Sequence, residues 1–175
     1  MSEATKVSWP RCEDRTFRGV RVVRTYSAPM DLVVASLRAR VGRVSFATVI
    51  KMSRNAASVE NFEFSFRNLI PKSGFVLFDE IDHGAWLQRY GLGLKSLRWI
   101  LGNPIIAQTM LRHDATAGLF VPIDLLFTEL PDGEGCAITY VLPSSLIAID
   151  NNAPLAAAAE RLDRKLEALF VSALD

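Results

Sequence analysis

Histidine and cysteine are scarce in this chain: two of each stand among 175 residues. Cys12 and Cys136 lie far apart, in neither metal-type nor redox-type spacing. With two histidines and no cysteine cluster, a closed structural zinc site is excluded. The pair reads as free thiols of a reducing compartment, with a single disulfide as the lesser alternative. Charge of one sign is also lacking. Twenty basic and 19 acidic residues leave a net charge of +1, so no whole-protein field draws in nucleic acid or a membrane surface. No window approaches 18 uninterrupted apolar residues, which argues against a membrane span. The stretch Met1–Lys6 is polar and has no apolar leader core, so a cytoplasmic location is the default expectation. A phosphate loop is missing too: Gly91-Leu92-Gly93 has no third glycine and no following Lys-Ser or Lys-Thr. No Gly-x-Ser-x-Gly elbow is present.

What the chain has in excess is apolar surface. Its hydrophobic fraction is 50% and its mean hydropathy +0.19. That calls for a large core, an apolar cavity or an oligomer interface. A chain of this length is one domain, able to bury roughly 70% of its unfolded surface without staples.

Residues 1–18 are polar and irregular, an arm on the surface. Residues 19–175 read as one domain. Val20–Tyr26 is a strand rich in β-branched residues. Pro29 opens a helix whose apolar face is Met30, Val33, Val34, Leu37 and Val41, and Gly42 reads as its stop. The segment 44–73 is an extra helical linker. Ser45–Met52 can be a short helix, or Ala47–Lys51 a strand. Ser58 caps a second helix with Val59, Phe62, Phe66, Leu69 and Ile70 on one face. A strand follows Gly74, and Leu97–Leu101 is another, ended by Gly102-Asn103-Pro104. Ile105–His113 reads as a helix with Ile106, Met110 and His113 on one face. Leu119–Glu129 reads as a long strand, joined to Cys136–Leu142 by the hairpin turn Pro131–Gly135. The last helix buries Leu155, Ala159, Leu162, Leu166, Leu169 and Ala173. The order gives a two-layer α+β domain: an antiparallel sheet with amphipathic helices on one face.

The chemistry concentrates in Gly74–Trp86, an apolar run that ends in Asp79, Glu80, Asp82 and His83. Strict alternation puts Phe75, Leu77, Asp79, Ile81 and His83 on one face, and Val76, Phe78, Glu80 and Asp82 on the other. His83 and Asn103 then become polar tips at the edge of one apolar layer, with His113 a third. Such tips over an apolar wall suit a small-molecule pocket. A histidine there can act as acid or base near neutral pH. Plainer roles stand beside this. Either histidine can be a structural residue fixing a turn, Asp82 and Asn103 are good turn caps, and Trp86 and Trp99 are good core or interface anchors. An open metal site from His83, His113 and Glu80 or Asp82 has no spacing signature.

The run Gly74-Phe75-x-Leu77-Phe78-x-Glu80-Ile81-Asp82-His83-Gly84 resembles the DUF302 domain family. So do Gly102-Asn103-Pro104, Ala117-Gly118-Leu119-Phe120-Val121-Pro122 and Tyr140-Val141-Leu142-Pro143-Ser144-Ser145. The resemblance spans roughly residues 74 to 170, and more loosely the strand and helix from residue 20. It implies a TBP-like fold, a curved antiparallel sheet with helices on one side, including the long C-terminal helix. By fold analogy alone such a sheet can grip a ligand against that helix, as in helix-grip cyclase and lipid-transfer folds. It implies no activity, and the link over 44–73 is longer than in the shortest family pattern.

The leading expectation is a small apolar molecule bound in a cavity between sheet and helices, with Glu80, Trp86, Trp99, Asn103 and His113 as candidate ligand-binding residues. The second is a cyclase- or isomerase-type enzyme with His83 or Asp82 as acid or base. The third is a homodimeric interaction module. None calls for a cofactor, a metal or nucleic acid.

Overall fold

Six strands and seven α-helices follow one another in a computed structural model that describes residues 12–93, 95–131 and 133–173. Strand β1 (Arg21–Tyr26) leads into α1 (Met30–Arg38), a two-residue β2 (Gly42–Arg43), then α2 (Phe46–Asn55) and α3 (Val59–Arg67). Strand β3 (Val76–Asp82) runs directly into a short α4 (His83–Leu87). Strand β4 (Ser96–Gly102) is followed by α5 (Pro104–Leu111). Strands β5 (Ile123–Glu129) and β6 (Cys136–Val141) precede α6 (Pro143–Ile147) and the long α7 (Ala153–Ser172). The sheet order is β1-β6-β5-β4-β3-β2. Every pairing is antiparallel except β2 with β3, a parallel contact of two residue pairs. The fold is α+β, as expected. Among the described residues no helix is long and apolar enough to cross a membrane.

Local chemistry explains most boundaries. Ser45 and Ser58 accept from the Thr48 and Asn61 N–H groups and start α2 and α3. Asn152 accepts from Leu155 N–H and starts α7. On α7, Leu155, Ala159, Leu162, Leu166 and Leu169 are buried as the periodicity predicts, Ala158 and Phe170 join them, and Ala173 is only partly buried. That stripe packs with Met30, Val33, Val34 and Leu37 of α1 on the sheet face carrying Trp99, Leu101, Leu125, Phe127 and Ile138. A second, smaller cluster of Val44, Phe66 and Val76 is joined by Val49, Met52, Ile70, Phe78 and Ile105. Val76 alternates with Phe75 and Leu77, which belong to the main core. The α2–α3 pair therefore covers the other side of that corner of the sheet.

Several expectations are corrected. Helix α1 ends at Arg38, so Gly42 is not its stop. A Cβ at Gly42 would lie 2.3 Å from the Leu69 carbonyl oxygen, so glycine is needed there for close approach. Val59 is 68% exposed and drops out of the α3 apolar face. Helix α5 stops at Leu111, because Asp114 accepts from Thr116 N–H and starts a 3₁₀ turn over Ala115–Leu119. His113 is consequently exposed beyond the helix rather than on its apolar face. The strand expected from Leu119 begins only at Ile123, since Pro122 has no N–H for a ladder. Of the N-terminal arm, residues 1–11 lie outside the described residues. Residues 12–18 are exposed and irregular, with Phe17 edge-on to Phe120 at 5.9 Å.

Candidate functional site

The alternation expected along β3 breaks at one residue. The register with β4 shifts between Leu77 and Asp79, leaving Phe78 as a bulge. Leu77 faces Leu101, but beyond the bulge Glu80 faces Trp99 and Asp82 faces Leu97. Glu80 and Asp82 are thereby moved to the helix side, while Asp79 and Ile81 turn away. This reverses the faces expected for these four residues.

Glu80 uses that position. Its Oε2 accepts from Arg38 Nη2 at 2.6 Å and from Trp99 Nε1 at 2.7 Å. The Arg38 guanidinium lies over the Trp99 ring, 5.2 Å from its centroid. Trp99 is fully buried, so its N–H needs this acceptor. The group is therefore a satisfied structural knot. Asp82 caps α4: its Oδ1 accepts from Ala85 N–H at 2.9 Å. His83 is the first residue of α4 and meets Trp86 edge to face at 5.9 Å. Trp86 is 49% exposed and touches Tyr90 in turn. Among the described residues no hydrogen bond joins Asp82 to His83. His113 takes part through its backbone: its N–H donates to the Met110 carbonyl at 2.9 Å and its carbonyl accepts from Asn152 Nδ2 at 3.3 Å.

Asn103 is different. It is the buried polar residue at the end of β4, 8% exposed. Its Oδ1 accepts from Ile105 N–H at 2.8 Å and starts α5, with Pro104 in the first turn. Its Nδ2 donates to the Gly74 carbonyl at 2.8 Å, tying β4 to the entry of β3. Beside it lies an apolar cavity of about 150 Å³. Phe75, Leu101, Ile106, Met110, Ile123 and Leu162 line it from the main core, Val49 and Phe78 from the second cluster, and Phe46 and Ala107 complete the wall. Phe46 and Phe78 stack at 4.5 Å to make one wall. Gly102 keeps the space open: a Cβ there would come within 2.9 Å of Pro122 Cβ and 3.0 Å of Phe78 Cε2. Asn103 is the one polar side chain on the wall. Its amide nitrogen has a second N–H that the bond to Gly74 leaves over.

Of the residues singled out in the sequence, Asn103 alone lines this cavity; Glu80, Asp82, His83, Trp86, Trp99 and His113 do not. Glu80 and Asp82 instead share a charged groove of about 340 Å³ with Asp31, Arg38 and Lys95. Among the described residues the cavity wall holds no titratable group, so they offer burial and one polar amide but no acid, base or nucleophile. The buried Cys136 thiol offers none either, since burial pushes its pKa up and keeps it protonated at neutral pH. Among the described residues no three His, Cys, Asp or Glu side chains gather to hold a metal. The sequence reading missed Phe46, Phe78, Ala107 and Pro122. The signal available for them was Gly102-Asn103-Pro104, a glycine forced by close approach followed by a capping residue.

The family model described as "Domain of unknown function DUF302" matches residues 49–173. The chain belongs to the DUF302 family. The match takes in residues 49–73, most of α2 and α3, so the longer link lies within the DUF302 region. Among solved structures, the "uncharacterized conserved protein DUF302 from Bacillus stearothermophilus" superposes with a TM-score of 0.61 at 17% identity. That comparison covers 87% of this chain and 97% of the other. It establishes a shared fold. No curated protein matches the chain. The function of DUF302 is unassigned in the family's own description.

Proposed function

We propose that this DUF302 protein binds a small apolar molecule in the cavity beside Asn103. The observation that carries the reading is a cavity of about 150 Å³ whose wall is apolar except for that one amide. An apolar cavity near 150 Å³ is large enough to take up a benzene-sized guest. The lone donor would set orientation, as sparse polar groups do in ligand sites. A toluene titration followed by thermal unfolding tests it. At tenfold excess over its Kd, toluene should stabilise the wild type by about 1.4 kcal/mol. Ala107→Phe, which places a ring in the cavity, should abolish the shift, and Ala107→Leu should weaken it. An unshifted wild type, or an equal shift in both variants, refutes the reading. With no titratable wall residue, acid–base catalysis in this cavity has no support. Asp82 and His83 enter only as the turn that ends β3.

The reading includes a cytoplasmic homodimer. The free thiols of Cys12 and Cys136 suit a reducing compartment. The second face of the sheet carries Val23 (57% exposed) and the half-buried Ile81, Ile100, Leu126 and Val141. Sedimentation at micromolar concentration should give twice the 19.4 kDa chain mass. A single-chain mass, unchanged by a Val23→Lys variant, counts against pairing.

A further inference from the structure

A basic cleft of about 510 Å³ lies between the end of α1, the turn at residues 71–73 and the C-terminal half of α7. Arg40, Lys72 and Lys165 line it, with Ser73 and Ser172, and among the described residues no acidic side chain does. Arg40 is partly explained by the helix it follows, since its Nη1 donates to the Ser36 carbonyl at 2.9 Å and to Ser36 Oγ at 3.0 Å. Lys165 is not explained that way. It stands well inside α7, which runs on to Ser172, whereas a helix dipole acts within its last turn. Among the described residues no carboxylate pairs with Lys72 or Lys165.

This cleft and the apolar cavity meet at Gly74. Ser73 on one side of it lines the cleft, and Phe75 on the other lines the cavity. Along α7, Lys165 in the cleft is one turn from Leu162 in the cavity. The point a Cβ would occupy on Gly74 is 3.4 Å from Lys165 Nζ and 3.9 Å from Ile106 Cδ1, a cavity residue. Gly74 has a φ of 82°, which favours glycine, and the missing side chain leaves ammonium and cavity wall side by side. Its carbonyl accepts from Asn103 Nδ2, which ties the cavity's polar residue to this junction.

We infer that the ligand of this protein is a small apolar carboxylate, its hydrocarbon part in the cavity and its carboxylate at Lys165, with Arg40 and Lys72 behind. The inference rests on the cavity-binding reading and adds the ligand's charge. Hexanoate and 1-hexanol, equal in carbon count, separate the two by calorimetry. The wild type should bind hexanoate about fivefold more tightly than 1-hexanol at about 50 mM salt, the size expected of an exposed ion pair. The preference should shrink towards unity near 500 mM. Lys165→Met should lower hexanoate affinity to that of 1-hexanol and leave 1-hexanol binding unchanged, which also shows the variant folded. Equal affinities in the wild type, or a preference that survives Lys165→Met, overturn the carboxylate assignment while 1-hexanol binding keeps the cavity reading. Failure of both probes to bind the wild type overturns the cavity reading and this one with it.

Discussion

Glu80 carries more of the structure than its place in an acidic run suggests. One carboxylate oxygen serves both Arg38 and the buried Trp99 N–H. Glu80→Ala would strip the acceptor from a fully buried donor and leave the Arg38 guanidinium without its anion. An unpaired buried donor costs about 1–3 kcal/mol. Because the Arg38 side chain keeps 39% exposure, water offsets part of its loss, and the expected destabilisation is about 2 kcal/mol. Glu80→Gln keeps an acceptor for Trp99 and loses only the charge assistance, so it should cost about half as much. Urea unfolding of the three proteins measures this. A Glu80→Ala curve that overlays the wild type would mean that water replaces the carboxylate. Neither variant should alter toluene binding, since Glu80 is not on the cavity wall.

Elements were legible in the sequence where their cause is local. Ser58 announced α3 because a cap acts on an N–H three residues away. Pro29 and the α7 stripe were readable for the same reason. What stayed hidden depends on partners distant in sequence. Phe78 sits in an apolar run with no glycine to mark a bulge, and its partner Phe46 lies on a separate helix. One slipped residue was enough to exchange the faces of Asp79, Glu80, Ile81 and Asp82. Gly42 was recognisable as special, but the Leu69 carbonyl that requires it lies beyond two helices. The short α6 was missed although Pro143 marks its first turn, where Ser144 N–H is taken by Asp163 on α7 at 3.1 Å. The candidate site followed the same division. Asn103 was found because it ends an alternating strand row, while the aromatic wall at Phe46 and Phe78 required the tertiary fold.

The two apolar clusters divide the molecule unevenly, and the cavity lies where they meet. The main core joins α1, α5, α7 and strands β3–β6, with Trp99, Phe127 and Phe170 among its fully buried side chains. The second cluster has three buried members, and α2 contributes no buried residue at all. Regions with few buried apolar contacts open below the global unfolding free energy. Amides of α2 and α3 should therefore exchange with deuterium through a local opening, well before those of β4–β6 and α7. Phe66→Ala removes the largest side chain of the small cluster, at a cost of about 3–5 kcal/mol to the unit that contains it. It should speed exchange in α2 and α3 and leave the central strands close to the wild type. A uniform acceleration instead would show that the domain unfolds as one cooperative unit. The arrangement ties stability to binding, because Phe46 and Val49 of α2 face a guest that also touches Met110 and Leu162 of the main core. Toluene bound there should slow exchange in α2 selectively, since a ligand that contacts both clusters is lost when α2 opens.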